Sequence, residues 1–178
     1  MNKMHIFLTG EIQVGKSTVI AKTLAQLKII PGGFKTYYGP DRELPNKLLY
    51  MNSAPEPKRF GAENVVVRFS EGNPPQTLTK KFDNYGVELI RSARTSSKLI
   101  LMDECGSLEW EALAFQKEVV DTLDGNTPVF GVIKQASKGW IDRVRNHPQV
   151  KLIAVTRENR DALPQILVRK LAFAIDFS

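Results

Sequence analysis

The chain is poor in metal- and sulfur-bearing side chains and has no long apolar run. Its 178 residues include one cysteine, two histidines and two tryptophans. With Cys105 alone, no intrachain disulfide can form, and a small buried hydrophobe is the expected role for that thiol. His5 and His147 stand far apart, and neither has a cysteine or carboxylate at metal-ligand spacing, so no zinc site is expected. No stretch approaches the roughly 20 apolar residues that cross a bilayer. The apolar run within Met1–Leu8 is too short for a signal peptide. The expectation is a cytoplasmic protein with no membrane partner. Internal repeats and low-complexity tracts are absent as well.

What is present is a globular composition, 42% hydrophobic, in a length that suits one domain with its own core. The net charge is +6, and it is unevenly placed. Lys134 to Lys170 carries nine Lys/Arg against three acids, while the rest of the chain has sixteen of each. That basic quarter suits nucleotide phosphates or nucleic acid, or simply a solvated helix face.

The chain is organised around Gly10-Glu11-Ile12-Gln13-Val14-Gly15-Lys16-Ser17, which fits the phosphate-loop pattern G-x-x-x-x-G-K-[ST]. His5-Ile6-Phe7-Leu8 before it reads as a buried strand. Val19, Ile20, Leu24 and Leu27 after it share one side of a helix. A loop between strand and helix aims several backbone N–H groups at one spot, and the helix start adds partial positive charge. Lys16 is placed for the β- and γ-phosphates of a nucleoside triphosphate and the Ser17 hydroxyl for Mg²⁺. Gly10 through Ser17, with Thr18 behind them, are the candidate nucleotide-binding residues.

Further along, Phe34–Tyr38 reads as a second strand after a Pro31-Gly32-Gly33 turn. Lys47–Met51 and Val65–Phe69 read as an antiparallel pair inside an insertion spanning about 39–80. Phe82, Tyr85, Leu89, Ile90 and Ala93 recur at helical spacing, as do Leu108, Ala112, Phe115, Val119 and Leu123, the latter helix stopping at Gly125 as a C-cap. Strands are expected at Lys98–Met102, Pro128–Ile133 and Val150–Val155, and a last helix from about Asn159. This alternation predicts an α/β fold with a mostly parallel sheet; with the phosphate loop it gives the expectation of a single-domain P-loop NTPase, a three-layer sandwich with a mostly parallel five-stranded core sheet and a small antiparallel insertion. Numbered along the chain, the core strands are expected in the order 5-1-4-3-2. Sites in such sheets lie at the C-terminal strand ends, which puts the phosphate loop, Asp103, Lys134 and Thr156 on one rim.

Leu99-Ile100-Leu101-Met102-Asp103-Glu104 is a hydrophobic strand ending in two acids. Asp103 there suits Mg²⁺, and Glu104 suits a water that it orients or deprotonates, with Lys16 and Glu104 as the catalytic pair. Lys134 or Gln135, ending the fourth strand, is placed to sense the γ-phosphate, and Arg145 or Arg160 to act as an arginine finger. Trp140, in Lys138-Gly139-Trp140, is the base-stacking candidate, and Trp110 is expected in the packing.

At this point the sequence resembles a known family, the thermophilic and cancer-related nucleoside triphosphatases. The resemblance covers nearly the whole chain and is weakest between about Tyr37 and Lys80. It rests on Ile6–Gly10 and Gly15–Thr18, on Gly33-Phe34-Lys35-Thr36, and on Asp103-Glu104-Cys105-Gly106-Ser107-Leu108-Glu109 beside the family's D-E-I-G-x-M-E. It rests also on Gly131-Val132-Ile133, on Val144-Arg145-Asn146 and on Val155-Thr156-Arg157-Glu158-Asn159-Arg160. It implies a RecA-like core of the catalytic-glutamate class and slow Mg²⁺-dependent hydrolysis of ATP, GTP and other nucleoside triphosphates. By position it puts Lys16 and Ser17 on phosphate and metal, Asp103 on metal, Glu104 on water, and Asn159 and Arg160 near the nucleotide. Three departures stand out. Ile12 and Gln13 replace the Pro and Gly of the family's G-x-P-G-x-G-K-[ST], Ser107 replaces a frequent Lys, and Tyr37-Tyr38-Gly39-Pro40 replaces charged residues. The competing expectations are a small-molecule or nucleotide kinase, with the insertion over an acceptor, and a nucleotide-gated protein acting on nucleic acid through the basic quarter.

Overall fold

The computed structural model describes residues 5–176. Its frame is one mixed sheet of eight strands, so the expected count of five is corrected. In chain order these are β1 (His5–Thr9), β2 (Gly32–Tyr38), β3 (Lys47–Ser53), β4 (Val65–Phe69), β5 (Gln76–Thr77), β6 (Ile100–Cys105), β7 (Val129–Ile133) and β8 (Val150–Ala154). They lie in the order β5-β4-β3-β2-β6-β7-β1-β8. The run from β2 to β8 is parallel throughout. Read by chain position, it has the expected 5-1-4-3-2 order. The insertion strands do not form a separate hairpin. β3 and β4 pair antiparallel as expected, but β3 also pairs with β2, so the insertion extends the same sheet.

The helices are α1 (Lys16–Leu27), α2 (Thr79–Lys81), α3 (Val87–Ser96), α4 (Leu113–Leu123), α5 (Trp140–Arg145) and α6 (Leu163–Asp176). α2 runs into α3 through a π-type turn, Phe82–Gly86. The alternation of side chains along each strand divides the core in two. Ile6 and Leu8 of β1, Leu99 and Leu101, and Phe130 and Val132 face α1 and α6. Phe7, Ile100, Met102, Val129 and Ile133 face the other way, against α3, α4 and α5. That is why the strand runs are apolar throughout: both faces are covered. The three layers follow.

Three local expectations change. Gly32 and Gly33 are not a turn but the start of β2. Gly33 has φ 93°, and a Cβ there would lie 2.1 Å from Leu101 O, so a side chain would prise β2 from β6. α4 begins at Leu113, because Ser107–Glu109 forms a separate 3₁₀ turn. It ends at Asp124 with ordinary right-handed geometry, φ −78°, ψ −10°, so Gly125 is not a left-handed cap.

His5 is a core side chain. Its Nε2 lies 2.9 Å from Leu123 O, and Nδ1 accepts the Val129 N–H at 3.1 Å. That pairing assigns the proton to Nε2, and burial holds the ring's pKa below the usual value. Among the described residues no helix is long and apolar enough to cross a membrane.

Candidate active site

The loop from Gly10 to Gly15 leaves β1 at its C-terminal end and enters α1. Gly10 has φ 143°, and a Cβ on it would sit 2.5 Å from Val155 O. Glycine there lets the chain after β8 close against the loop. Gly15 caps α1 with φ 110°. Gln13, which replaces the family's glycine, takes φ 61°. A left-handed backbone costs a non-glycine residue about 1 kcal/mol. Gln13→Gly is therefore expected to raise the melting temperature by about 1–3 °C, the relief of strain outweighing the added chain entropy. A lower melting temperature would refute this.

Glu11, Ile12, Gln13, Ser17 and Thr18 are exposed, and Val14 is buried beneath the loop. Lys16 is folded back, its Nζ donating to Gly10 O at 2.9 Å and Glu11 O at 2.8 Å. Burial lowers its pKa, while the nearby Glu104 and Asp103 carboxyls pull it up again.

Asp103 and Glu104 lie just before the end of β6 at Cys105, two strands from β1 and on the same rim. Burial and the adjacent Glu104 push the Asp103 carboxyl up to about 7. Glu104 is also raised by burial and is drawn back by Lys134 and Lys16. The Lys134 ammonium stands 3.8 Å from Glu104 Oε1. From β2, the Thr36 hydroxyl donates to Asp103 O at 3.1 Å and accepts the Glu104 N–H at 3.3 Å. The acid pair is thus braced from the neighbouring strand, a role the sequence reading did not assign to Thr36.

A second brace lies below. Gly106 donates its N–H to Glu109 Oε2 at 2.8 Å, and its carbonyl accepts the Trp140 indole N–H at 2.9 Å. Lys134 lays its stem against Gly106 on the way to Glu104. Glu109 is the last acid of the D-E-x-G-x-x-E run, and its spacing of three from Gly106 was the signal for this contact. Trp140 corrects the sequence reading. It is buried, edge-on to Phe115 at 6.3 Å, and not available to a base. Its companions Ile141 and Val144 are buried too, and that helical spacing was the missed signal. Trp110, expected in the packing, is 66% exposed.

Glu109 gives a pH prediction. Burial raises its carboxyl from 4.5 to about 8. Between those values the folded protein holds a proton that the unfolded chain releases. The stability it contributes is full below the lower value and is lost as pH rises through the upper one, by at most about 1.4 kcal/mol per pH unit. Glu109→Gln removes this titration. Urea unfolding at about pH 5.5 and about pH 8.5 is expected to show the variant gaining on the parent at the higher pH. A difference that is independent of pH would contradict it.

The turn after β8 closes on itself. Asn159 Oδ1 accepts the Thr156 N–H at 2.8 Å, the Thr156 hydroxyl accepts the Asn159 N–H at 3.3 Å, and Asn159 Nδ2 donates to Ala154 O at 2.9 Å. This shapes the turn so that Arg160 reaches Val14 O at 3.2 Å, over Gly15. A 290 Å³ cleft beside it is lined by Gly15, Thr18, Val19, Lys22, Arg160 and Asp161. A second cleft, of 350 Å³, opens between Gly10 and Thr156 and includes Gln135. Arg145 pairs with Asp142 and donates to Ser137 O at 2.8 Å, so it staples the loop that carries Lys134 and Gln135. Cys105 is fully buried, and its thiol is pushed well above the usual range by that burial.

The comparisons agree with this geometry. The family model described as NTPase matches residues 5–168. The nucleoside-triphosphatase THEP1 of Natranaerobius thermophilus is 28% identical over 187 residues, spanning 96% of this chain and 98% of that protein. The protein of the same name from Thermofilum pendens is 27% identical, spanning 97% of each. In fold, the chain is similar to the crystal structure of THEP1 from Aquifex aeolicus, with TM-score 0.75 and 23% identity over 94% of this chain and 99% of that one. It is similar also to the solution structure of a human cancer-related nucleoside triphosphatase, with TM-score 0.71 and 24% identity over 93% and 96%. The phosphate loop, the acid pair and the turn after β8 meet on one rim, and the family model runs through all the motifs that carried the resemblance: the chain belongs to the NTPase family.

Proposed function

We propose that this hydrolase releases the terminal phosphate of nucleoside triphosphates to water in a Mg²⁺-dependent reaction, on a RecA-like P-loop core of the catalytic-glutamate class. The observation that carries the reading is the placement of Glu104. It lies next to the end of a strand on the phosphate-loop rim, with its peptide N–H held by Thr36 and its carboxyl facing Lys134. A carboxylate fixed in this way orients the attacking water and takes its proton as the oxygen bonds to the γ-phosphorus. The β–γ bridging oxygen leaves with the diphosphate.

The other roles follow from position. The loop N–H groups and Lys16 hold the β- and γ-phosphates, the ammonium exchanging the Gly10 and Glu11 carbonyls for phosphate oxygens. Lys134 and Gln135 stand where the γ-phosphate is sensed. Thr18 and Arg160 flank the cleft that takes ribose and base, and Asn159 shapes that turn. The residues present fit Mg²⁺. No group of three or more His, Cys, Asp or Glu side chains among the described residues could cage a metal. Two oxygens, the Ser17 hydroxyl and the Asp103 carboxyl, are what such an ion takes from protein when phosphates and water complete its shell. Bound there, Mg²⁺ supplies neutralisation of phosphate charge.

The test is phosphate release from ATP, GTP, CTP and UTP with Mg²⁺ and with excess chelator. Slow release from several of the four, abolished by chelator, is expected. Phosphate appearing on an added nucleoside or nucleotide in preference to water would replace this reading with a kinase.

A further inference from the structure

Segment 54–64, between β3 and β4, matches none of the motifs, yet it is pinned to the sheet almost residue by residue. Lys35 Nζ donates to Ala54 O at 3.3 Å and also contacts Glu56 O. Asn52, fully buried, donates from Nδ2 to Pro57 O at 2.8 Å. The Tyr37 hydroxyl accepts the Arg59 N–H and donates to Arg59 O, both at 2.8 Å. Asn64 Nδ2 donates to the same carbonyl at 2.8 Å. The backbone on each side of Lys58 is therefore fixed, at an ordering cost of about 1–2 kcal/mol per residue.

The strap places the Lys58 ammonium 5.3 Å from the centroid of the Tyr37 ring. Tyr37 follows Lys35 by two residues on β2, and Lys35 is the register partner of Asp103 on β6. All three side chains stand on one face of the sheet, the face of α1. Lys58 therefore overhangs the rim on the Asp103 side, opposite the phosphate loop. Burial, and after it the Lys58 charge, hold the Lys35 amine down.

Lys22 and Arg157 line the two clefts beside the phosphate loop, and five other cations of the rim are engaged. Lys16 holds two loop carbonyls, Lys35 holds the strap, Lys134 faces Glu104, Arg145 staples its own loop and Arg160 bonds Val14 O. Lys58 has a ring contact but no salt bridge among the described residues.

We propose that Lys58 is a further catalytic cation, presented by the strap to the γ-phosphate from the side away from Lys16. The proposal rests on the triphosphatase reading. As the β–γ bond lengthens, charge spreads over the γ-phosphoryl oxygens and the leaving oxygen. A cation already ordered on that side offsets it without reorganisation. In this arrangement the chain supplies from its own insertion what other phosphate-loop enzymes take from an arginine finger.

The experiment compares Lys58→Ala, Lys58→Arg and Glu104→Gln with the parent. It measures steady-state phosphate release and the affinity for a fluorescent ATP analogue. Lys58→Ala is expected to lose about 10²-fold in kcat, with KM and analogue affinity within about threefold. Lys58→Arg is expected to recover most of that loss, and far-UV circular dichroism to stay unchanged. Release that depends on Glu104 but falls less than about threefold in Lys58→Ala would overturn this proposal alone. So would a weaker KM at constant kcat, which marks a ground-state contact. No release by the parent would overturn both this proposal and the triphosphatase reading.

Discussion

Glu104→Gln is expected to bind nucleoside triphosphate as the parent does and to lose about 10²–10⁴-fold in turnover. The substitution is nearly isosteric and leaves the Glu104 backbone N–H on Thr36. It removes the acceptor for the water's proton and the negative charge that faces Lys134 at 3.8 Å. Loop contacts to the phosphates arise from Gly10 to Ser17 and do not involve residue 104, so affinity is retained. Burial and the two lysines set the variant's other change. With one acid gone, the Asp103 carboxyl loses the neighbour that helps raise it to about 7. Single-turnover phosphate release alongside equilibrium binding of a fluorescent ATP analogue separates the two effects. Unchanged turnover would remove Glu104 from the chemistry and, with it, the catalytic-glutamate assignment.

Phe115→Ala is expected to be the most destabilising single truncation of the aromatic core, by about 3–5 kcal/mol. The ring is fully buried on α4. It meets Phe34 at 5.4 Å, Phe82 at 5.3 Å and Trp140 at 6.3 Å, all edge-on. Three elements thus converge on one side chain, and their own rings are buried with it. For a domain of this size the melting temperature should fall by about 10 °C. The effect reaches the site as well, because Trp140 leans on Phe115 while its indole holds Gly106. Chemical unfolding of the variant decides the matter. A loss below about 1.5 kcal/mol would mean that the neighbouring helices collapse onto the gap.

Much of this was legible in the sequence, for reasons that differ from element to element. The parallel strands announce themselves because a strand covered on both faces needs an unbroken apolar run, as in Leu99–Met102. The order of those strands was expected by analogy with NTPases of this layout, which usually insert a strand between the phosphate-loop strand and the Asp strand. The phosphate loop is local, its parts lying within eight residues, so pattern alone locates it. What escaped was contact at long sequence separation. Nothing beside Thr36 says that its hydroxyl will hold a peptide 68 residues away. The Lys138-Gly139-Trp140 context reads as an exposed loop, yet the indole is anchored 34 residues back at Gly106. The strap 54–64 is rich in Pro, Glu, Lys and Arg, a composition that reads as solvated loop. Its order comes from Asn52 and Tyr37, which the alternation of β3 and β2 turns toward it, and from its own Asn64. β5 was missed because two residues carry no periodicity. Gly32 and Gly33 were read as a turn because glycine pairs mark turns, whereas here they let β2 lie close against α3 and β6.

The sheet ends in two quite different ways, and both bear on whether the protein stays dispersed when concentrated. An outermost strand offers a row of unsatisfied amides and carbonyls on which another chain can build. At one border that strand is only Gln76–Thr77, too short to template an addition. At the other it is Val150–Ala154, five residues with Leu152 and Ala154 open to water, a length and composition that would invite stacking. Lys151 sits within it, exposed, with the Lys170 amine of α6 close enough for the two charges to repel. A second molecule approaching that border in register would bring its own pair of ammonium groups against these. Part of the basic excess of the C-terminal quarter thereby guards the longer of the two open edges of the sheet.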